Sequence, residues 1–316
     1  MDSAATERRA RLPLQFSVID GRVVVTGSEV PGQVPVGSII DSLGGTPAAD
    51  RLAAAMRLGS GTAQWRQARS MLELQACTRD AGLSVSVQLP TGLRREVVLA
   101  CDVTAPVTEP RPNSLAERAQ GIWYVDLTRI TAAELTPALP SLASAKGIVF
   151  DLRGYPTDAG ILILRHLIET PESDRWMHVP RIVGPFGEVE SWQSVGWNLQ
   201  PATPHLSARR VFLTDGRAIS YAESVMGYVR DRKLATIIGG PTAGTNGNIV
   251  TFATPGAFAI IFTGMRVTGH DGRAQHHLVG IAPDIRLDPT LAGIRAGRDE
   301  LLERAIAQLQ NPGQYE

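Results

Sequence analysis

The sequence has only two cysteines, Cys77 and Cys101, among its 316 residues. Two thiols are too few for a disulfide framework or for a zinc site of the usual kind. We expect two small, partly buried side chains, and the sequence leaves open whether one bridge joins them. No run of 18 or more apolar residues occurs, so no membrane-spanning helix is expected.

An excess of charge is also lacking, because 31 Lys and Arg residues balance 31 Asp and Glu residues. This balance argues against a polyanionic partner such as nucleic acid. The segment from Met1 to Pro13 carries charges without an apolar core, so it does not predict a secretory signal. With 43% hydrophobic and 20% charged residues, the composition is typical of a soluble globular protein long enough for two domains.

Residues 14–104 are predicted to form a small, mostly β module, because short β-branched runs alternate there with turn signals. Within this module, residues 48–77 are rich in helix-forming side chains. The glycines of Gly59-Ser60-Gly61 interrupt them. The pattern therefore predicts two helices inserted into a β module.

Residues 105–119 contain three prolines and are predicted to be a linker. From 120 to 310 the pattern changes to alternating strands and helices. This alternation predicts an α/β domain with a parallel or mixed sheet covered by helices. Two further apolar runs, 249–253 and 257–263, predict a hairpin added to that sheet.

Active sites of α/β sheets lie where strands end and helices begin. Ser220 follows a buried strand over 210–214 and opens a helix, which exposes its hydroxyl beside free backbone N–H groups. A simple N-cap role also explains a serine there. Gly154 follows another buried strand, in a turn where a glycine allows close approach to a ligand. An ordinary turn with Asp151 and Arg153 paired is the alternative.

Three of the six histidines, His270, His276 and His277, fall within eight residues. They suit either an acid–base role or a zinc site. His276 and His277 would point to opposite sides of an extended segment, which argues against a shared metal. Solvated loop histidines are the third alternative.

Four short motifs carry a resemblance to a known family when they are taken in this order. They are Asp151-Leu152-Arg153-Gly154-Tyr155, Ser220-Tyr221-Ala222-Glu223, Gly239-Gly240-Pro241-Thr242-Ala243-Gly244 and Gly280-Ile281-Ala282-Pro283-Asp284. Together they resemble the C-terminal-processing (tail-specific) protease family, whose relatives include the tricorn core protease and the interphotoreceptor retinoid-binding protein. The resemblance covers residues 30–310 and implies a ClpP/crotonase-like α/β domain preceded by a PDZ-like β module.

One departure from the family pattern matters for the chemistry. The bacterial tail-specific branch has a catalytic lysine after the third motif, whereas this chain has Thr245-Asn246 there and no lysine beyond Lys233. The tricorn-like branch uses a histidine from an earlier part of the chain, and this chain has no histidine before His166. Alignment on Gly280-Ile281 puts His277 where that branch has its glutamate.

The resemblance and this alignment imply a serine peptidase with Ser220 as nucleophile and His277 as base. His276 is the fallback, and His270 or Asp271 would orient the imidazole. The N–H groups of Gly154 and Tyr221 would form the oxyanion hole. Substrate contacts are expected at the following residues: Gly37, Ile39, Tyr155, Thr245 and Asn246.

The expected substrate is a peptide or an unfolded protein tail, held by the PDZ-like module through strand addition. No metal or cofactor is expected, and an oligomer is left open. Family members are usually exported, but the compartment of this chain is not predicted. The rival interpretation is a non-catalytic binding protein, because the retinoid-binding branch shows that this fold also serves as a carrier.

Overall fold

The computed structural model describes residues 9–103, 105, 107–184, 187–256, 258–269, 272–273 and 276–311. The chain divides into two compact units. The first comprises Met1–Arg111 and Asp288–Glu303, and the second comprises Pro112–Leu287 and Arg304–Glu316. No helix in the described ranges has the length and apolar character needed to cross a membrane.

The first unit is built around one antiparallel sheet with strand order β2-β3-β4-β7-β8, and β5 pairs with β4. A separate pair joins β1 to β6. The elements are β1 Arg9–Arg11, β2 Leu14–Ile19, β3 Arg22–Ser28, β4 Ile39–Leu43, β5 Thr46–Pro47, α1 Ala48–Leu58, α2 Ala63–Gln75, β6 Ala76–Thr78, β7 Gly82–Gln88 and β8 Arg94–Ala100. The two helices and the break between them are as predicted.

The core of the first unit consists of side chains that alternate toward one face of the sheet and meet α2. Phe16, Leu43 and Val85 belong to it, and Leu74 comes from the helix. Cys77 and Cys101 form a disulfide, which settles the question that the sequence left open. Whether this unit is PDZ-like, with its helices as an insert, stays a prediction.

The second unit contains a six-stranded sheet of order β19-β15-β14-β11-β10-β9, parallel except for β9. Its elements are β9 Leu115–Ala119, β10 Ile122–Asp126, α3 Ala132–Leu135, a 3₁₀ turn Thr136–Ala138, α4 Leu139–Ala143, β11 Gly147–Leu152, α5 Ala159–Leu167, β12 Met177–Val183, β13 Glu188–Val195, β14 Arg209–Thr214, α6 Tyr221–Asp231, β15 Thr236–Gly239, β16 Ile249–Thr254, β17 Phe258–Thr263, β18 Arg266–Val267 and β19 Ile285–Arg286. Two helices follow in the chain: α7 Leu291–Arg295, which belongs to the first unit, and α8 Glu300–Gln310, whose residues are divided between the two units.

The α/β architecture predicted from the sequence is confirmed. Every residue of β11 is buried, as expected for a central parallel strand. Phe150 on β11 packs against Phe212 on β14, with ring centroids 4.9 Å apart. Because β11 and β14 are parallel and in register, the Gly154 turn and the Ser220 loop leave the sheet at the same edge.

Two local predictions differ from the structure. Residues 115–119, expected in a linker, form β9 and pair with the edge of the sheet through β10. The predicted hairpin exists as β16–β17, but it forms its own two-stranded sheet and does not join the six-stranded one. The sheet that a strand or hairpin joins is a tertiary property, which a local pattern does not specify.

Candidate active site

Ser220 occupies a strained position between β14 and α6. Its backbone has φ 57° and ψ −111°, in a region that residues with a side chain rarely adopt. Its N–H donates to the carbonyl oxygen of Thr245 at 3.0 Å. Such strain persists only when the surroundings enforce it, and it concentrates at functional sites. A sharp strand-to-helix turn of this kind also presents the nucleophile in α/β hydrolases.

The buried carboxylate of Glu223 stabilises this turn through hydrogen bonds. Its Oε1 accepts from the Thr242 hydroxyl at 2.6 Å and from the Gly244 N–H at 2.7 Å. Its Oε2 accepts from the Thr245 N–H at 2.9 Å and from the Ser220 N–H at 3.3 Å. Burial raises the pKa of Glu223 to about 7. The four hydrogen bonds act in the opposite direction and lower the pKa, but burial has the larger effect. One side chain therefore ties the candidate nucleophile to the 242–245 loop.

Glu223 was not among the predicted site residues, although a signal for it was present. Ser220-x-x-Glu223 has the spacing of a capping box, in which the third helical residue bonds the N-cap N–H. The same spacing at Thr131 and Glu134 does predict a helix start, and that box is observed. What the spacing does not show is that Glu223 also accepts three bonds from a distant loop.

The segment 276–281 is hydrogen-bonded to the other side of the 242–245 loop. The N–H of Leu278 donates to Gly244 O at 2.8 Å, and the N–H of Ile281 donates to the Thr242 hydroxyl at 2.7 Å. Thr242 N–H in turn donates to Ile281 O at 3.2 Å. The loop thus lies between the Ser220 turn and the segment that carries two of the three predicted histidines.

These two histidines have opposite environments. His276 is 3% exposed, and neither ring nitrogen has a hydrogen-bond partner within the described part of the chain. Burial, followed by the charge of Arg230, lowers the pKa of His276 to about 4. His277 is exposed. The segment is not extended as predicted: the N–H groups of Val279 and Gly280 both donate to His276 O, forming a turn.

Across the described ranges, neither His276 nor His277 forms a hydrogen bond with the Ser220 hydroxyl. His270 and Asp271, the predicted orienting residues, lie outside the described residues. No group of three side chains suited to a metal ion is found in the described ranges. The histidine base accordingly stays a prediction.

The predicted oxyanion-hole donors follow the ends of β11 and β14. Gly154 has φ +149°, and a Cβ there would lie 3.3 Å from Thr128 Cγ2, so the position suits glycine. Its N–H donates to Leu152 O at 2.9 Å within a tight turn. This bond would have to yield before Gly154 could bind an oxyanion. Tyr221 is the first residue of α6, and its hydroxyl accepts from the Ile161 N–H at 2.7 Å.

The predicted substrate-binding residues differ in how far they are exposed. Tyr155 is 56% exposed, and its ring lies 5.9 Å from that of Tyr221. Asn246 is buried, with its side-chain amide 3.0 Å from the Ser224 hydroxyl. Thr245 is held through its backbone by Ser220 and Glu223, as described above.

Gly37 and Ile39 lie in the first unit and are engaged there. The N–H of Gly37 donates to Val25 O at 2.8 Å, and its carbonyl accepts from Arg295 Nε at 3.1 Å. The side chain of Ile39 is buried in a small cluster with Val24 and Leu291. Substrate binding by these two residues stays a prediction.

A narrow cavity with a volume of about 30 Å³ runs along one face of α6. This helix contributes Glu223, Ser224, Gly227, Tyr228 and Asp231, which share a face at helical spacing. The remaining walls consist of Glu172, Asp174, Trp176, Arg232, Asn246, Val267, Thr268 and His276. The unpartnered imidazole of His276 therefore lines a cavity that begins at the first turn after Ser220.

Residues 121–287, more than half of the chain, match the profile of peptidase family S41. The chain belongs to peptidase family S41. Membership confirms the family resemblance drawn from the four motifs, all of which fall within this range. Membership in this family supports a general peptidase function, the hydrolysis of peptide bonds, for this protein.

Solved structures show the same fold. Mature CPAF complexed with lactacystin superposes with a TM-score of 0.72 at 16% identity, covering 96% of this chain and 84% of that one. Mature CPAF alone superposes with a TM-score of 0.70 at 15% sequence identity, covering 96% of this chain and 83% of that one. A protein of Parabacteroides merdae assigned as a peptidase superposes with a TM-score of 0.54 at 20% sequence identity, covering 64% of this chain and 65% of that one. At such identities the likeness establishes the fold. No curated protein sequence matches the chain.

Proposed function

We propose that this S41 member is a serine-type endopeptidase that cleaves peptides or unfolded protein tails, with Ser220 as its nucleophile. The observation that carries the proposal is the strained backbone of Ser220, enforced by Glu223 and Thr245. An N-cap that served only to start a helix would have ordinary extended dihedral angles. Strain at a serine between a parallel strand and a helix favours a nucleophile.

The proposed base is His277, which removes the Ser220 proton as the hydroxyl oxygen attacks the substrate carbonyl. The proton then passes to the leaving amine, and water releases the acyl group by the reverse route. His277 is supported by its exposure and by the bonding of its neighbour Leu278 to Gly244. His276 is the weaker candidate, because its lowered pKa makes it a poor proton acceptor.

The proposed oxyanion hole uses the N–H groups of Tyr221 and Gly154. The first N–H groups of a helix lack partners within the helix and point toward an anion near its N-terminus. Gly154 would exchange its bond to Leu152 O for the developing oxyanion. Tyr155 would contact the substrate beside this hole, since its ring is largely exposed.

The substrate tail would bind the first unit by strand addition, with its carboxylate near the backbone of Gly37. Edge strands accept an extended peptide because their outer N–H and C=O groups lack partners. In the strand order of the first unit, β2 and β8 are at the two ends of the sheet.

A fluorophosphonate probe tests the nucleophile directly, because it phosphonylates activated serines preferentially. We expect wild-type protein to be labelled and Ser220→Ala to be unlabelled, with a loss of turnover on the order of 10⁴–10⁶. Ser224→Ala is the control, since Ser224 is on the same helix and bonds to Asn246. Equal labelling of wild type and Ser220→Ala would refute the nucleophile.

The base is tested by His277→Ala, with the partly exposed His205→Ala as the control. His205 lies 3.7 Å from Glu169 and has no proposed role in the site. We expect His277→Ala to abolish labelling without changing peptide binding. If wild-type protein binds peptides but resists the probe, the non-catalytic binding protein is the better interpretation. The missing lysine and the lack of a hydrogen bond to Ser220 are what favour that second candidate.

A further inference from the structure

The β16–β17 hairpin exposes a large apolar surface. Its two strands pair only with each other among the described strands. Side chains on alternate positions point to one side, and on one side they form an apolar face. This apolar face consists of Val250, Phe252, Phe258, Ile260 and Phe262, which are 44–62% exposed.

No charged side chain protects this hairpin, since the sequence from Leu234 to Met265 contains no Asp, Glu, Lys or Arg. The β12–β13 hairpin is different. It also exposes apolar side chains, including Ile182, but it intersperses them with charges such as the Arg181–Glu190 ion pair at 2.9 Å. Charges on exposed strands are a common device against unwanted association. Their absence from β16–β17 marks a surface that is covered in the functional protein.

We infer that the apolar face packs against the same face of a second copy of this chain. An uncharged surface is matched by another uncharged surface, and a two-fold axis pairs any such face with itself. A two-stranded hairpin is marginally stable alone in water, so packing against a second hairpin also stabilises it. Two sheets can face each other about 10 Å apart with their side chains interleaved.

The available area fits the centre of a dimer interface. Aromatic side chains bury about 150–250 Å² each, so three half-exposed phenylalanines offer about 300 Å² per copy. Val250 and Ile260 raise this to roughly 400 Å², a size typical of functional patches. A standard interface buries about 800 Å² per partner, so the apolar face would supply about half of one. The rim of the hairpin and its open strand edges would supply the rest.

Sedimentation velocity of the full chain tests the dimer without depending on enzymatic activity. We expect a wild-type dimer at micromolar concentration and a monomer for Ile260→Glu, because a buried carboxylate should weaken association on the order of 100-fold or more. The matched control is Ile182→Glu, the same change on the charged hairpin, which should remain dimeric. A monomeric wild type, or a dimer that survives Ile260→Glu, would overturn the proposal.

Cross-linking keeps the test decisive if Ile260→Glu fails to fold. Both native cysteines are in the disulfide, so an introduced cysteine is the only free thiol. Ile260→Cys should form covalent dimers with a short bismaleimide, whereas Ile182→Cys should not. Equal yields from the two variants would contradict the proposal. So would a monomer that co-sediments with phosphatidylcholine vesicles, because lipid would then be what covers the apolar face.

Discussion

Replacing Glu223 with glutamine should loosen the Ser220 turn while leaving the size of the side chain unchanged. The carboxylate accepts four hydrogen bonds, two on each oxygen. An amide has only one accepting oxygen, so its NH₂ group must face at least one backbone N–H. A buried donor left without an acceptor costs about 1–3 kcal/mol of stability. A displacement of the nucleophile by about 1 Å lowers turnover on the order of 100-fold.

Glu134→Gln provides the matched control for this change. Glu134 occupies the same position in the Thr131 capping box, where it accepts from the Thr131 N–H at 2.8 Å. That box lies at the exposed start of α3, so water can replace any bond that the amide loses. We expect Glu134→Gln to leave both urea unfolding and the rate of fluorophosphonate labelling nearly unchanged. If Glu223→Gln behaves like Glu134→Gln in both assays, the positioning role is wrong.

The pH dependence of stability gives a second measure of Glu223. Its folded pKa of about 7 lies above the ordinary value of 4.5, so the folded protein holds an extra proton between these values. The resulting contribution of Glu223 to the free energy of unfolding is fully present below pH 4.5 and is lost as pH rises through 7. The interval of about 2.5 pH units corresponds to about 3 kcal/mol.

The contribution of His276 to the free energy of unfolding changes with pH in the opposite direction. Its folded pKa of about 4 lies below the ordinary 6.5, so its contribution is present above pH 6.5 and is lost as pH falls through 4. Between pH 4.5 and 6.5 the opposite pH dependences of the Glu223 and His276 contributions nearly cancel in the wild type. Glu223→Gln removes one of them, so its unfolding free energy should rise with pH over this range relative to wild type. Parallel pH profiles of the two proteins would show that Glu223 does not titrate as described.

Two further perturbations address the disulfide and the Gly154 turn. Replacing Cys77 and Cys101 with serine should lower the unfolding free energy by about 3 kcal/mol in urea, because the bridge spans a sequence separation of 24; an unchanged midpoint would refute this. Gly154→Ala should slow fluorophosphonate labelling at least 10-fold in a folded protein, since its φ is +149° and its Cβ meets Thr128. Gly45→Ala also places a Cβ at a positive φ, +76°, but in open space, and an equal effect there would rule out a specific role for Gly154.

Features encoded by local patterns were predictable from the sequence. The uninterrupted apolar run of β11 predicts a buried strand, and the glycines at 59–61 predict the break between α1 and α2. The helix after Ser220 presents Ala222 and Val225 to the core at helical spacing, a pattern visible in the sequence. In each case the residues that determine the element lie within the element itself.

Features that depend on strand pairing and tertiary packing were not predictable from local patterns. The strand Leu115–Ala119 is short and only partly apolar, and it is defined by its pairing with β10. The hairpin β16–β17 shows a clear β pattern that says nothing about which sheet it joins. His276 is buried beside Tyr228 and Thr268 from other parts of the chain, which the local sequence around it does not indicate. None of these outcomes is specified by the local apolar pattern alone.

The four family motifs are informative together because three of them contact one another in the fold. Glu223 of the second motif bonds to Thr242 and Gly244 of the third. Thr242 in turn exchanges bonds with Ile281 of the fourth motif. A serine at a helix start, a glycine-rich loop and a Gly-Ile pair are each common alone. Their joint occurrence in register is rare because it requires one hydrogen-bonded unit around Glu223, and that unit is what holds Ser220 in its strained conformation.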